Sequence, residues 1–212
     1  MNCGLSNLDR LKAHLLPAGT MAGERKFDEV IKDLGLGVAE DMENYCNRKF
    51  VRAVGDTAIF QADRNSFVLP RYPVEEVTLV ELDARDGNGF VAQSADFVQS
   101  VSLPSGVVYL SGNPDAGKFW AQVRFTYTGG YWFEQLEPED AGYPTAQPAG
   151  AVALPNGLRL AWLNHCRAMW NAWDKLGVGL VDAPNAQTTI GEMEFSPAVK
   201  RALANYQMMQ PV

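Results

Sequence analysis

The chain has 212 residues, 47% hydrophobic and 20% charged, enough apolar material for a substantial core in one domain or two small ones. Its formal charge is −7, with 25 Asp and Glu against 18 Lys and Arg, which argues against a protein that grips DNA or RNA through its phosphates. No apolar run is long enough to span a membrane, and "MNCGLSNLDRLK" lacks a signal-peptide pattern. The three cysteines (Cys3, Cys46, Cys166) are odd in number and show no CxxC spacing, so neither a disulfide framework nor a zinc site is expected. These features describe a soluble protein made in a reducing compartment.

In chain order, the first expected element is a short helix capped by Ser6 and stopped by Pro17, with Leu8, Leu11, Leu15 and Leu16 on one side. A longer helix follows from near Glu24. Phe27, Val30, Ile31, Leu34, Val38, Met42, Tyr45 and Cys46 recur at helical spacing, ending at "CNRKF". Gly35 and Gly37 each cost about 1 kcal/mol relative to alanine there, so the helix is either kinked or closely approached at the glycines.

From about Phe50 to Tyr131 the period changes to two. In "FWAQVRFTYT", Phe119, Ala121, Val123, Phe125 and Tyr127 share one face, opposite Gln122, Arg124, Thr126 and Thr128, as in a half-buried antiparallel strand. Shorter strands are expected at "TAIFQA", "SFVL", "VEEVTLVEL", "DFVQS" and "GVVYL", with turns at "DGNG", "LPSG" and "SGNPDAG". Strands so closely spaced, with no helices between them, make a small antiparallel sheet or sandwich. Pro70 and Pro73 in "SFVLPRYPVEEVTLVEL" impose a stiff, extended corner. Past that corner, simple alternation sends Val77 and Leu79 one way and Val74, Val80 and Leu82 the other. Such a mixed strand is either covered on both sides or placed at a subunit boundary.

Residues 132–154 carry Glu134, Glu137, Glu139, Asp140 and three prolines without periodicity: a long loop, either a simple cover or a binding element. Helix returns at "LPNGLRLAWLNHCRAMWNAWDKLG", opened by Pro155 and stopped by Gly177. Its apolar face is Leu158, Ala161, Trp162, Cys166, Met169, Trp170 and Trp173. A linker ends in the alternating "IGEMEF". Ser196-Pro197 then starts a last amphipathic helix carrying Val199, Ala202, Leu203, Tyr206 and Met209. Such a helix docks either on its own domain or on another chain.

Catalytic motifs are missing. His165 and Cys166 are neighbours on a helix and diverge by about 100°, so their spacing does not make a nucleophile–base pair. No P-loop, dinucleotide fingerprint, nucleophile elbow or HExxH is present, and "LDARDGNG" lacks the closing glutamate of a calcium loop. No catalytic, cofactor-binding or metal-binding residue is assigned, and no enzyme activity is expected. The enzyme alternative would use Cys166 with a histidine.

One ordered set of fragments remains: Arg48-Lys49-Phe50 after two helices, "LPRYPVEEVTLVEL", a strand closing on "YTGGY", a polar loop, and "LPNGLRLAWL" opening a large helix. Over roughly residues 5–176 this order resembles the head–tail connector (adaptor) proteins of tailed bacteriophages. The glycine-interrupted second helix, the long 132–154 loop and the extended tail depart from that pattern. The resemblance implies a homo-oligomeric ring, usually of twelve copies, in the virion neck, assembled in the host cytoplasm beneath the portal protein. It would offer a surface to a stopper or tail protein, while DNA passes through without sequence-specific binding. An acidic ring suits such a conduit, and no membrane partner is implied. The alternative is a stopper or tail-completion protein one ring further along.

The expected fold class is α+β: a helical body from both ends of the chain with an inserted small antiparallel β subdomain. Its parts are 1–50 (helical), 51–131 (β), 132–154 (loop), 155–177 (large helix) and 178–212 (linker and terminal helix). Expected partner-binding residues in the tail are Ile190, Met193, Phe195, Val199, Leu203, Tyr206 and Met209. Because a ring buries two different faces of each copy, Arg71, Tyr72, Val74, Val80 and Leu82 are candidates for a subunit interface.

Overall fold

A computed structural model describes residues 3–16, 27–112, 121–178 and 194–208. The architecture is α+β, with helices from both ends of the chain and antiparallel sheets from its middle. By contact the chain divides into two compact units. The described residues within Met1–Cys46, Phe133–Ala146 and Leu154–Gln207 form the helical one. Those within Asn47–Trp132 and Gln147–Ala153 form the β one.

In the helical unit, α1 (Leu8–Leu15) is capped by Asn7, whose side chain accepts the Arg10 N–H, so the cap lies one residue beyond the expected Ser6. The helix α2 (Asp28–Cys46) runs unbroken through both glycines and ends at Asn47, which takes the left-handed conformation (φ 51°) tolerated by asparagine. The helix α3 (Asn156–Val178) continues through Gly177, which therefore does not stop it. Last comes α4 (Pro197–Ala204), capped by Ser196, whose hydroxyl accepts the Val199 N–H. Leu11, Ile31, Met42, Leu158, Trp162 and Leu203 are among the fully buried side chains of this unit.

The two glycines of α2 have different roles. Trp162 donates its indole N–H to the Gly35 carbonyl at 3.0 Å. A β-carbon on Gly35 would stand 2.2 Å from the Cys3 carbonyl oxygen, inside any tolerable contact. Gly37 would meet nothing within 4 Å. Close approach, not a kink, explains the first glycine, while the second is exposed and unconstrained.

The loop 132–154 is also put to use. The Glu137 carboxylate, almost fully buried, accepts the Leu8 and Asp9 N–H groups at 2.7 and 3.1 Å, capping α1 from a distant part of the chain. Asn7 donates to the Leu136 carbonyl, and Glu134 accepts from Leu136 N and from the backbone and hydroxyl of Thr145. Burial works against the Glu134 carboxylate, but these donors outweigh it and hold its pKa below the ordinary value.

The β unit holds two antiparallel sheets. One has the order β1 (Ala53–Gln61), β7 (Gln122–Gly129), β3 (Val74–Asp83), β4 (Phe90–Ala92). The other has the order β2 (Ser66–Val68), β6 (Val107–Leu110), β5 (Val98–Ser102). Asp96 and Phe97 of the expected strand "DFVQS" instead end a 3-10 turn, Ala95–Phe97, before β5. A short parallel pair, β8 (Tyr131–Trp132) with β9 (Val152–Ala153), lies in the stretch read as loop. Phe67 from one sheet and Phe125 from the other place their rings 5.4 Å apart in a shared core with Leu69, Val80, Val108 and Val123.

The mixed faces of 74–82 have an explanation inside the chain. Register shifts between Val74 and Glu76, and between Val77 and Leu79, re-phase β3 twice. Val74 and Val80 are core residues, Val77 and Leu82 pack partly buried against the same core, and Leu79 faces outward. No neighbouring subunit is needed to account for this pattern.

The two glycines generate opposite mutational outcomes. Gly35→Ala is expected to lower stability by about 3 kcal/mol or more through overpacking against Cys3 and Trp162. Gly37→Ala is expected to leave stability unchanged or raise it by about 1 kcal/mol. Chemical denaturation followed by tryptophan fluorescence compares them, and equal effects would contradict the close-approach assignment.

Candidate functional site

Three of the fragments that stand out in the sequence meet in one junction of the β unit. Arg48, 4% exposed, lays its guanidinium 3.3 Å from the centroid of the Tyr72 ring. The Phe50 and Tyr131 rings lie further out, at 5.2 and 5.5 Å. The same guanidinium donates to the Tyr72 carbonyl, while its Nε has no hydrogen-bond partner. A desolvated cation over aromatic faces contributes about 2 kcal/mol, and losing it leaves the stacked rings unsupported.

Backbone bonds tie the same segments together. Lys49 N–H donates to the Pro70 carbonyl (2.8 Å), Gly130 N–H to Pro73 (2.8 Å), Tyr131 N–H to Phe50 (2.7 Å) and Arg52 N–H to Tyr131 (3.1 Å). Prolines have no N–H to give, but their carbonyls serve here as acceptors. The glycine pair of "YTGGY" follows from this crowding. A β-carbon on Gly129 would lie 2.5 Å from the Arg71 carbonyl oxygen. One on Gly130, at φ 96°, would lie 2.7 Å from that of Val51. Only glycine fits either position.

Ion pairs complete the junction. Arg52 holds Glu75 through two hydrogen bonds of 2.6 and 2.8 Å. Arg71 binds Asp56 at 2.6 Å and donates to the Val51 carbonyl, and its backbone N–H donates to the Tyr127 hydroxyl at 3.2 Å. Burial, with Asp56 nearby, pushes the Tyr127 phenol far above its ordinary pKa, so it remains neutral. The arrangement fixes three chain segments against one another.

The expected interface residues are thereby placed. Arg71 and Tyr72 belong to the junction, Val74 and Val80 lie in the core, and Leu82 packs partly buried against it. Of the expected tail residues, Val199 and Leu203 are buried within the chain's own helical unit. Leu203's carbonyl accepts from the Cys46 thiol at 3.8 Å, and Phe195 is half-buried against Tyr45 and His165. Tyr206 is half-buried. Ile190, Met193 and Met209 lie outside the described residues. The sequence reading missed the cap by Glu137 and the partnership of Arg48 with Tyr72, which joins residues 24 positions apart.

The Cys166 alternative loses its chemistry. Cys166 is fully buried and its thiol is pushed well above its ordinary pKa by burial, while the Cys3 thiol is pushed up to about 12. Both stay protonated and unreactive. His165, also buried, sets its ring 4.6 Å from that of Phe195, tilted at 55°. Among the described residues, no group of three His, Cys, Asp or Glu side chains could hold a metal ion, and no helix is long and apolar enough to cross a membrane.

Two tests follow from these environments. Arg48→Lys, which keeps the charge but loses the flat stacking surface, is expected to cost the β unit about 2–4 kcal/mol. An unchanged denaturation midpoint would refute the role given to the stack. Burial lowers the His165 pKa, against a smaller opposing pull from Asp41, so the folded state prefers the neutral ring. Stability is then complete above the unfolded-state value near 6.5 and falls as pH drops through that value. Thermal melts across that range check the sign, and His165→Gln should flatten the dependence.

No protein-family model and no curated protein matches the chain. Solved structures do. A chain in the neck of an empty GTA particle computed with C6 symmetry is 16% identical, with TM-score 0.59 over 98% of this chain and 92% of that one. A chain in the virion of a native gene transfer agent (GTA) particle is 15% identical, with the same TM-score and coverage. One in the neck of a native GTA particle computed with C12 symmetry is 13% identical, with TM-score 0.51 over 97% and 90%. At these identities the likeness is one of fold, and it extends over both the helical and the β parts of the chain.

Proposed function

We propose that this protein is a structural head–tail adaptor of a tailed-phage-like particle. In this reading, copies form a ring beneath the portal and link it to the next neck or tail protein around the DNA channel. The observation that carries the reading is the fold likeness, over 98% of the chain, to a chain from a particle neck. The order of the sequence fragments supports it independently, since Arg48-Lys49-Phe50, "LPRYP" and "YTGGY" build one junction. A net charge of −7 suits a conduit that must not retain nucleic acid.

Val199 and Leu203 are committed to the chain's own helical unit. Tail contacts with a portal, stopper or tail protein are proposed for Ile190, Met193, Phe195, Tyr206 and Met209. The tail is proposed to engage these partners by strand addition or helix-in-groove docking.

The deciding experiment is electron microscopy of the protein mixed with its cognate portal. A ring stacked on the portal is the expected outcome. A ring that joins the tail-side protein but never the portal would favour the stopper or tail-completion reading. A monomer that persists with every neck partner would overturn both.

A further inference from the structure

We propose that the free edge of β1 is where one copy of this chain receives the next, pairing antiparallel with the β4 edge of the second copy; this rests on the ring reading above. β1 borders the four-stranded sheet and, among the strands of the described residues, pairs with β7. Thr57 lies opposite Thr126, yet its N–H donates to the Asp56 carboxylate at 3.0 Å. By the two-residue alternation of a ladder, the amides of Thr57 and Ile59 therefore face the open side.

Proteins normally blunt such an edge with lysine, proline or a very short strand. β1 has nine residues and contains neither lysine nor proline. Its one charge, Asp56, is held by Arg71 at 2.6 Å. Val54 and Ile59 are 71% and 53% exposed. Past the register shift between Ala53 and Asp56, the edge runs in regular register and is partly apolar.

Chain direction and chemistry select a second copy as the occupant. The strands β1, β7, β3 and β4 are antiparallel neighbours throughout. Their number is even, so β4 of one copy beside β1 of the next continues the alternation without a break. A cyclic ring buries two different patches on every copy, and the opposite edges of one sheet are such a pair. The β4 edge is uncharged, with Val91 51% exposed. Asp56 occupies one edge donor, the Thr57 N–H, at 3.0 Å. On β4 the Gln93 N–H donates to the Val80 carbonyl, so by the same alternation Val91 faces β3 and the backbone groups of Phe90 and Ala92 face the open side. Pairing would exchange the Asp56 bond for a backbone bond from Thr57 to Phe90 or Ala92 of the second copy.

The test compares backbone hydrogen exchange in the full-length monomer and in rings assembled on the portal. Slowed exchange in both 53–61 and 90–92 upon ring formation is expected. Rings with unchanged exchange in either segment would overturn the edge pairing and leave the adaptor reading intact. Failure to form any ring would overturn both. Protection of β1 in a complex of portal with a single copy would assign the edge to the portal and likewise overturn the proposal. Ile59→Lys supplies an independent arm, because it places a charge on the edge at an exposed position. It should leave the monomer's melting temperature unchanged while reducing ring yield at least about tenfold. Normal yield from this folded variant would count against the pairing.

Discussion

The β unit depends on a buried cation that pairs with no carboxylate among the described residues. Arg48 is held by aromatic faces and a backbone carbonyl, and the three segments that supply them are far apart in the chain. Desolvating a guanidinium is costly, so the fold keeps it only where flat rings and a correctly aimed acceptor are present together. This requirement propagates outward. Tyr72 must stand in the proline corner, the Arg71 and Pro73 carbonyls must crowd the strand end, and glycine must occupy 129 and 130. Gly106, at φ 68°, admits the adjoining turn, because a β-carbon there would lie 2.8 Å from that of Tyr72.

The helical unit is organised by a similar economy of close approach. Gly35 lets the indole of Trp162 and the backbone of Cys3 reach α2, and the indole N–H is satisfied by the Gly35 carbonyl. Glu137 then fixes the N-terminus of α1 with a charge that complements the helix dipole. Both devices place polar groups in buried positions with partners supplied, as low-dielectric surroundings require. None of them provides a reactive group. Cys3 and Cys166 are buried and protonated, the buried histidine packs against an aromatic ring, and the polar atoms serve geometry. In the adaptor reading such a protein acts through its surfaces, and β1 lies at an edge of the four-stranded sheet.

Much of the architecture was legible in the sequence because the signals are local. The 3.6-residue recurrence of Ile31, Val38, Met42 and Cys46 gives α2, the alternation in 121–127 gives β7, and Ser196-Pro197 gives the start of α4. The candidate site was legible only in part. "RKF", "LPRYP" and "YTGGY" stand out as fragments, but nothing in a linear pattern states that Arg48 lies on Tyr72. The β3 strand shows the same limit from another side. Counting by twos splits its valines between two faces, because a period cannot register a bulge. Two register shifts gather Val74, Val77, Val80 and Leu82 toward one core.

By itself, then, the sequence determined the class of each element and the α+β order, because backbone propensity and hydrophobic period act over a few residues. It also contains no P-loop, dinucleotide fingerprint, nucleophile elbow or HExxH. Only the tertiary structure decided which glycine is indispensable, what the acidic loop is for, and that Val199 and Leu203 belong to the chain's own core. Those outcomes depend on what a side chain meets across more than a hundred residues of chain in the cases of Gly35 and Glu137. Steric exclusion and the desolvation of buried charge act through space, and local pattern holds no record of them.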